Sequence, residues 1–187
     1  MREEKKSDLH ERFAFRNIRS EEGEQAAAIE QACFPPKEAC TKKMMLKRAA
    51  KARELFLVAE DRRTGRIAGF LTGIATEEES FRDEFFLNAD LHDHQGPNVM
   101  LLSLAVLPAY RGQGLAREIM RNYLKREREN GRRRVLLTCV ESKVKMYEKM
   151  GFQDAKIANS SWGGNQWYEM SCVVNPFDEE SLREGKS

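Results

Sequence analysis

Apolar positions along the chain switch between a period near two and a period near three and a half, and the switches mark out the elements. Phe13-Ala14-Phe15-Arg16-Asn17-Ile18-Arg19 alternates and predicts a first strand. Ser20, followed by Glu21, Glu22 and Glu24, has the form of an N-cap with an acidic first turn, so a helix is expected through about Ala32. Pro35-Pro36 stops it. A second helix follows, with Thr41 as its cap and Met44, Met45 and Leu46 on its inner face. Leu55 to Ala59 and Ile67 to Ile74 read as strands joined by a hairpin over Asp61 to Gly65. From Glu77 to Gly96 the chain is polar around Phe81, Phe85 and Phe86, which predicts an irregular loop with one helical turn. Loops of that length in a small domain are often functional.

The longest apolar run, Met100 to Leu107, predicts a buried strand over 99–107. A side-chain-poor turn follows, then a helix over 115–130 with Leu115, Ile119, Tyr123 and Leu124 facing inward and Gly131 as its C-cap. A strand over 134–140 completes a βαβ crossover. A shorter helix, about Lys143 to Met150, ends at Gly151. The last strands, Phe152 to Ser161 and Gln166 to Val174, are expected to form a hairpin across Trp162-Gly163-Gly164-Asn165. The order β-α-α-β-β-β-α-β-α-β-β predicts an α+β fold with α/β-type layers: a mixed sheet of about seven strands with helices on both faces.

Composition narrows the function. The 187 residues suit a single domain over 13–175, with 1–12 as a flexible, charged lead-in and 176–187 as a flexible tail. A net charge of +2, with 41% hydrophobic and 33% charged residues, gives no general attraction to nucleic acid or membrane. No apolar run reaches the roughly 20 residues of a membrane helix, and the lead-in lacks a signal core, so a cytoplasmic location is expected. Cys33, Cys40, Cys139 and Cys172 form no C-x-x-C pair, and His10, His92 and His94 are the only histidines. Reduced thiols and no metal site are the expectation. Cys139, on a strand, reads as inert packing, and His92-x-His94 as exposed loop residues.

The turn Arg111-Gly112-Gln113-Gly114-Leu115-Ala116 carries the chemistry. A strand that runs into a glycine turn and then a helix presents unpaired N–H groups and the positive dipole end to an anion. A dinucleotide fold would place G-x-G-x-x-G in its first βα turn, with an acidic residue about 20 positions on. Here the turn lies mid-chain, the spacing differs, and Arg132-Arg133-Arg134 stands where the acid should be. The G-x-x-x-x-G-K-[ST] loop is also absent.

Arg111-x-x-Gly114-x-Ala116, after a strand ending Val106-Leu107-Pro108, resembles the acyl-CoA pyrophosphate loop of the GNAT (Gcn5-related) N-acetyltransferases, Gln/Arg-x-x-Gly-x-Gly/Ala. Met146-Tyr147-Glu148-Lys149-Met150-Gly151-Phe152 matches the family's tyrosine helix followed by Gly-Phe. The likeness spans about Phe13 to Val174. Within the family the chain is most similar to the arylalkylamine (serotonin) N-acetyltransferases. The short connection Leu137 to Tyr147 and the strand Glu54 to Val58 look like theirs, and Cys33-Phe34-Pro35-Pro36 sits where their substrate loop lies. One departure stands out: the two histidines those enzymes carry on the central strand are Met100 and Leu102 here.

The resemblance implies acetyl transfer from acetyl-CoA to a primary amine by direct attack in a ternary complex. It places Leu104, Ala105 and Val106, with Arg111, Gly112, Gln113, Gly114, Leu115 and Ala116, at the acetyl-CoA. Tyr147 is the candidate acid, because a phenol titrating at about 10 stays protonated at neutral pH. Glu38 and Glu30 are the candidate bases. Phe34, Pro35 and Pro36, with Trp162 or Trp167 opposite, are candidate walls of an amine pocket. Arg132 to Arg134 suit a helix C-terminus without a ligand. Other acceptors stay open: an antibiotic, a protein N-terminus, or a polyamine if Glu77 to Glu79 and Asp90/Asp93 ring the mouth. A CoA-binding sensor without catalysis is a further alternative. The partner expected is a small-molecule amine and the oligomer a monomer or homodimer.

Overall fold

The computed structural model describes residues 8–175. Residues 1–7 and 176–187 of the expected lead-in and tail lie outside that range. Residues 8–12, expected to be solvated, are helical, and His10 Nε2 there meets Glu118 Oε1 at 2.7 Å. The chain then forms β1 (Phe13–Asn17), α1 (Gly23–Cys33), α2 (Lys42–Lys51), β2 (Phe56–Asp61), β3 (Arg66–Thr76) and β4 (Asn98–Val106). It continues through α3 (Leu115–Glu129), β5 (Arg134–Cys139), α4 (Glu141–Glu148), β6 (Gln153–Ile157) and β7 (Tyr168–Val173). The seven strands make one sheet in the order β1-β2-β3-β4-β5-β7-β6, antiparallel except between β4 and β5. This is the predicted mixed sheet, with helices on both faces. No helix among the described residues is long and apolar enough to cross a membrane.

Strand alternation divides the core. Leu57, Ala59 and Leu71 pack with Ile119, Met120 and Tyr123 of α3. Phe56, Val58 and Phe70 point the other way, onto Ala26 and Ile29 of α1 and Met45 of α2. Burial of side chains this size stabilises by about 1.5–3 kcal/mol each, so the two layers clamp the sheet between them. Gly73 is required where α3 crosses β3, since a Cβ there would stand 2.8 Å from the Tyr123 hydroxyl.

Three expectations change. Ser20 does not cap α1: Ser20–Glu22 is a separate 3-10 turn, and Glu22 accepts the Arg19 N–H at 2.8 Å while pairing with Arg16. The buried stripe of α2 runs through Met45, Arg48, Ala49 and Ala52, leaving Leu46 37% exposed, although Thr41 does cap it by accepting from Met44 N at 3.2 Å. The last two strands are shorter than predicted, and Trp162–Gly164 forms a 3-10 turn within a wide loop, 158–167, rather than a tight hairpin. Trp162 causes this by leaving the sheet to stack on Phe86, 5.0 Å between ring centroids.

The connection of β4 to β5 decides where a ligand can go. The two strands pair only over Asn98–Met100 with Arg134–Leu136, then diverge. A register shift opposite Thr72/Gly73 bends β4 away at that point. Beyond it, β4 is held on its β3 side alone.

Candidate active site

A cavity of about 470 Å³ fills the gap where β4 and β5 part. Its lining draws on both faces of the sheet: Ala116 and Met120 from α3, and Glu30, Phe34, Arg48 and Phe86 from the opposite layer. It therefore runs through the gap in the sheet, from the α3 layer to the layer of α1 and α2.

Hydrogen-bond alternation in β4 fixes the free donors. Leu107 N–H bonds Ala68 O at 2.9 Å, and the continuous register makes Ala105 the next residue to bond across to β3. Leu104 and Val106 then turn their N–H and C=O groups toward the gap. Val106 O confirms the direction by accepting from Arg111 Nε at 2.8 Å and from Cys33 Sγ at 3.4 Å. Of the three strand residues expected to offer N–H groups, Ala105 lends its own to the sheet. Leu104 and Val106 have theirs free.

The glycine turn lies at the end of that strand. Gly112 and Gly114 hold φ of +77° and +88°, and Gly114 is the N-cap of α3. Glu118 N–H is the first to bond back within the helix, to Gly114 O at 3.1 Å, so those of Leu115, Ala116 and Arg117 lack an intrahelical acceptor. Arg111 and Ala116 line the cavity. Gln113 folds its amide back, Nε2 donating to Tyr110 O at 2.9 Å and Oε1 accepting from Arg12, while Leu115 is 1% exposed in the core. Gly112, Gln113, Gly114 and Leu115 thus present backbone, not side chains.

Tyr147, on α4, lines the cavity on the β5 side and packs edge-on to Phe152. Burial, with Cys139 close by, pushes its phenol above the ordinary value. Cys139 lines the same wall, and burial raises its thiol to about 11, which keeps it protonated and a poor nucleophile.

The two candidate carboxylates separate clearly. Glu30 is 2% exposed, and its Oε1 accepts from Cys40 N at 3.2 Å and Ser103 Oγ at 3.1 Å. Its Oε2 is buried without a hydrogen bond, and Glu30 is among the residues that line the cavity. Burial raises the Glu30 pKa, against the opposing pull of Cys40, Arg48 and Ser103. Glu38 is half-buried, and its Oε1 is occupied by Asn165 Nδ2 at 2.7 Å. Its carbonyl receives Trp162 Nε1 at 3.2 Å, so Glu38 ties the 158–167 loop to the proline segment.

Phe34 and Pro35 line the cavity with Phe86, Trp162 and Trp167; Pro36 is outside the lining and exposed, since the chain turns outward after Pro35. The acidic residues expected to ring the mouth are elsewhere. Glu78 pairs with Arg82 at 2.6 Å, Glu79 with Arg133 at 2.7 Å, and Asp90 with Lys47 and Lys51, and neither they nor Glu77 and Asp93 line the cavity. His92 is not exposed: its side chain is 2% accessible, accepting Ala75 N–H at Nδ1 (3.0 Å) and meeting Glu54 at Nε2 (2.7 Å). A ring that accepts at Nδ1 carries its neutral-form proton on Nε2, so the Glu54–His92–His94 group is a hydrogen-bonded brace with no free lone pair at Nε2 for a cation. Arg132 is likewise structural, donating to His94 O at 2.9 Å.

Sequence reasoning missed Arg48 and Ser103. Arg48 is 2% exposed and donates to Phe86 O at 2.8 Å and Ser103 Oγ at 3.4 Å. A signal was there: Arg48 follows Met45 by three residues and so falls on the apolar stripe of its helix.

Residues 23–152 match the model of the Acetyltransferase (GNAT) family. Solved structures share the fold. "GphF GNAT-like decarboxylase in complex with isobutyryl-CoA" superposes with a TM-score of 0.69 at 16% identity, covering 87% of this chain and 100% of that one. Ard1 from Thermoplasma volcanium gives 0.65 at 20% identity, covering 87% and 97%. The ribosomal-protein-S18-alanine N-acetyltransferase from Escherichia coli gives 0.63 at 18%, covering 87% and 94%. One fold here serves a decarboxylase and an N-acetyltransferase, so the chemistry of this chain has to be read from its own cavity.

Proposed function

We propose, for a chain that belongs to the GNAT acetyltransferase family, the transfer of an acetyl group from acetyl-CoA to the primary amine of a small acceptor with an aromatic or alkyl body. The observation that carries this reading is the passage through the sheet, which joins free backbone N–H groups on one side to a buried, half-unpaired carboxyl on the other. Phe34, Phe86, Trp162 and Trp167 give the acceptor side flat apolar walls, which suits an arylalkylamine. A polyamine fits less well, because Glu78, Glu79 and Asp90 are already neutralised by cations away from the cavity.

Acetyl-CoA supplies an activated thioester. The N–H groups of Leu115 to Arg117, at the positive end of α3, suit its pyrophosphate. Those of Leu104 and Val106 suit the thioester carbonyl as its oxygen gains charge. Glu30 Oε2 takes the proton that the amine must lose, and its raised pKa makes it a better match for that proton at neutral pH. Tyr147 gives a proton to the departing thiolate. Holding the reactants in one narrow passage contributes the rest.

The test is a panel of arylalkylamines, polyamines and peptide N-termini assayed for free CoA release. Arylalkylamines are expected to give the highest kcat/KM, and preference for a peptide would overturn the acceptor assignment. Tyr147→Phe is expected to lower turnover by about tenfold or more while acetyl-CoA affinity by calorimetry stays the same. Unchanged turnover would remove Tyr147 from the reaction, and no turnover with any amine would favour a CoA-binding sensor.

A further inference from the structure

Ser103 and Arg48 stand beside the candidate base without a role in the reaction as described. Arg48 can only donate, so Ser103 Oγ must accept from it at 3.4 Å. The single hydroxyl proton of Ser103 is then left for Glu30 Oε1, 3.1 Å away. Cys40 N–H goes to that same oxygen at 3.2 Å. Both donors thus hold one oxygen, and tilting the carboxylate plane away from them would break two hydrogen bonds inside the protein.

Arg48 is itself anchored, through Phe86 O at 2.8 Å, to the segment that carries the aromatic wall of the cavity. It reaches Glu30 through the serine, not by direct contact. The groups that face Glu30 are the Cys40 thiol from the connecting loop, Arg48 from α2 and Ser103 from β4.

We propose that Ser103, oriented by Arg48, is a positioning residue: with Cys40 N–H it holds one oxygen of the Glu30 carboxylate, leaves the other unpaired for the amine proton, and sets the pH at which the carboxylate is a free base. This rests on Glu30 being the base. A donor to the ionised form favours it, so removing the hydroxyl should make Glu30 harder to ionise. Activity needs the ionised form, so kcat/KM rises with pH through the apparent pKa of Glu30, and that limb should move to higher pH when the donor is lost.

The experiment is the pH profile of kcat/KM for the best amine. Ser103→Ala is expected to shift the acid limb upward by about one pH unit, the equivalent of a hydrogen bond to a charged group. Ser103→Thr, which keeps the hydroxyl, is expected to return it. A role in packing alone would lower the rate at every pH and leave the limb in place. A limb unmoved in Ser103→Ala but abolished in Glu30→Gln would overturn the positioning role and keep the base. A limb that persists in Glu30→Gln at a pH below the titration of the free amine would overturn the base reading itself.

Discussion

Gly114→Glu is expected to weaken acetyl-CoA binding by about a hundredfold, or about 2.7 kcal/mol, and to lower the melting temperature by a few degrees. Two effects act, one on the fold and one on the ligand. Gly114 holds φ at +88°, which costs any other residue about 1–2 kcal/mol. The new carboxylate would also stand at the N-terminus of α3, where the free N–H groups gather, and compete with the pyrophosphate for them. The fold should survive, because a Cβ at this position meets nothing within 4 Å and a negative charge suits a helix N-terminus. Gly114→Ala separates the two effects by adding backbone strain alone, and should lower thermal stability while keeping most of the affinity. Calorimetry with acetyl-CoA decides it: wild-type affinity in Gly114→Glu would mean that the turn does not seat the anion.

Glu30→Gln is the second large effect, an expected fall in kcat of about 10²- to 10⁴-fold, the usual contribution of a positioned base. The amide is nearly isosteric and keeps an oxygen for Cys40 N–H and Ser103, so the buried cluster can persist. What is lost is the unpartnered carboxylate oxygen. Acetyl-CoA affinity should hold, since no proposed contact to it involves Glu30. Glu38→Gln provides the comparison. Glu38 already spends its carboxylate on Asn165, so its loss should raise KM for the amine more than it lowers kcat. A kcat within a few-fold of wild type in Glu30→Gln, together with a collapse in Glu38→Gln, would reverse the assignment.

The order of strands and helices was legible because each element is short and carries its own period. The predicted β-α-α-β-β-β-α-β-α-β-β order is found, with a helical segment added at 8–12 and the helical turn expected in the 77–96 loop at Glu84–Leu87, and the Gly114 turn falls at the helix start where its glycines require it. The errors sit where a side chain had a stronger partner far along the chain. Ser20 lost its cap because Glu22 pairs with Arg16 on the neighbouring strand. The tight turn expected at Trp162 opened because its ring stacks on Phe86. His92 read as an exposed loop residue because nothing in its surroundings along the chain announces Ala75 or Glu54.

The sequence by itself determined the elements and the donor end of the cavity. A strand, two glycines at positive φ and a helix start are contiguous, so their geometry is set by residues within reach of one another. Tertiary structure alone decided the acceptor end. Glu30, Arg48 and Ser103 lie on two helices and a strand, and only their convergence gives one carboxylate a fixed, unpaired oxygen. The same holds for the free N–H groups of Leu104 and Val106, which depend on where β5 parts from β4. Burial and divergence are properties of packed layers, and neither leaves a mark at any single position of the chain.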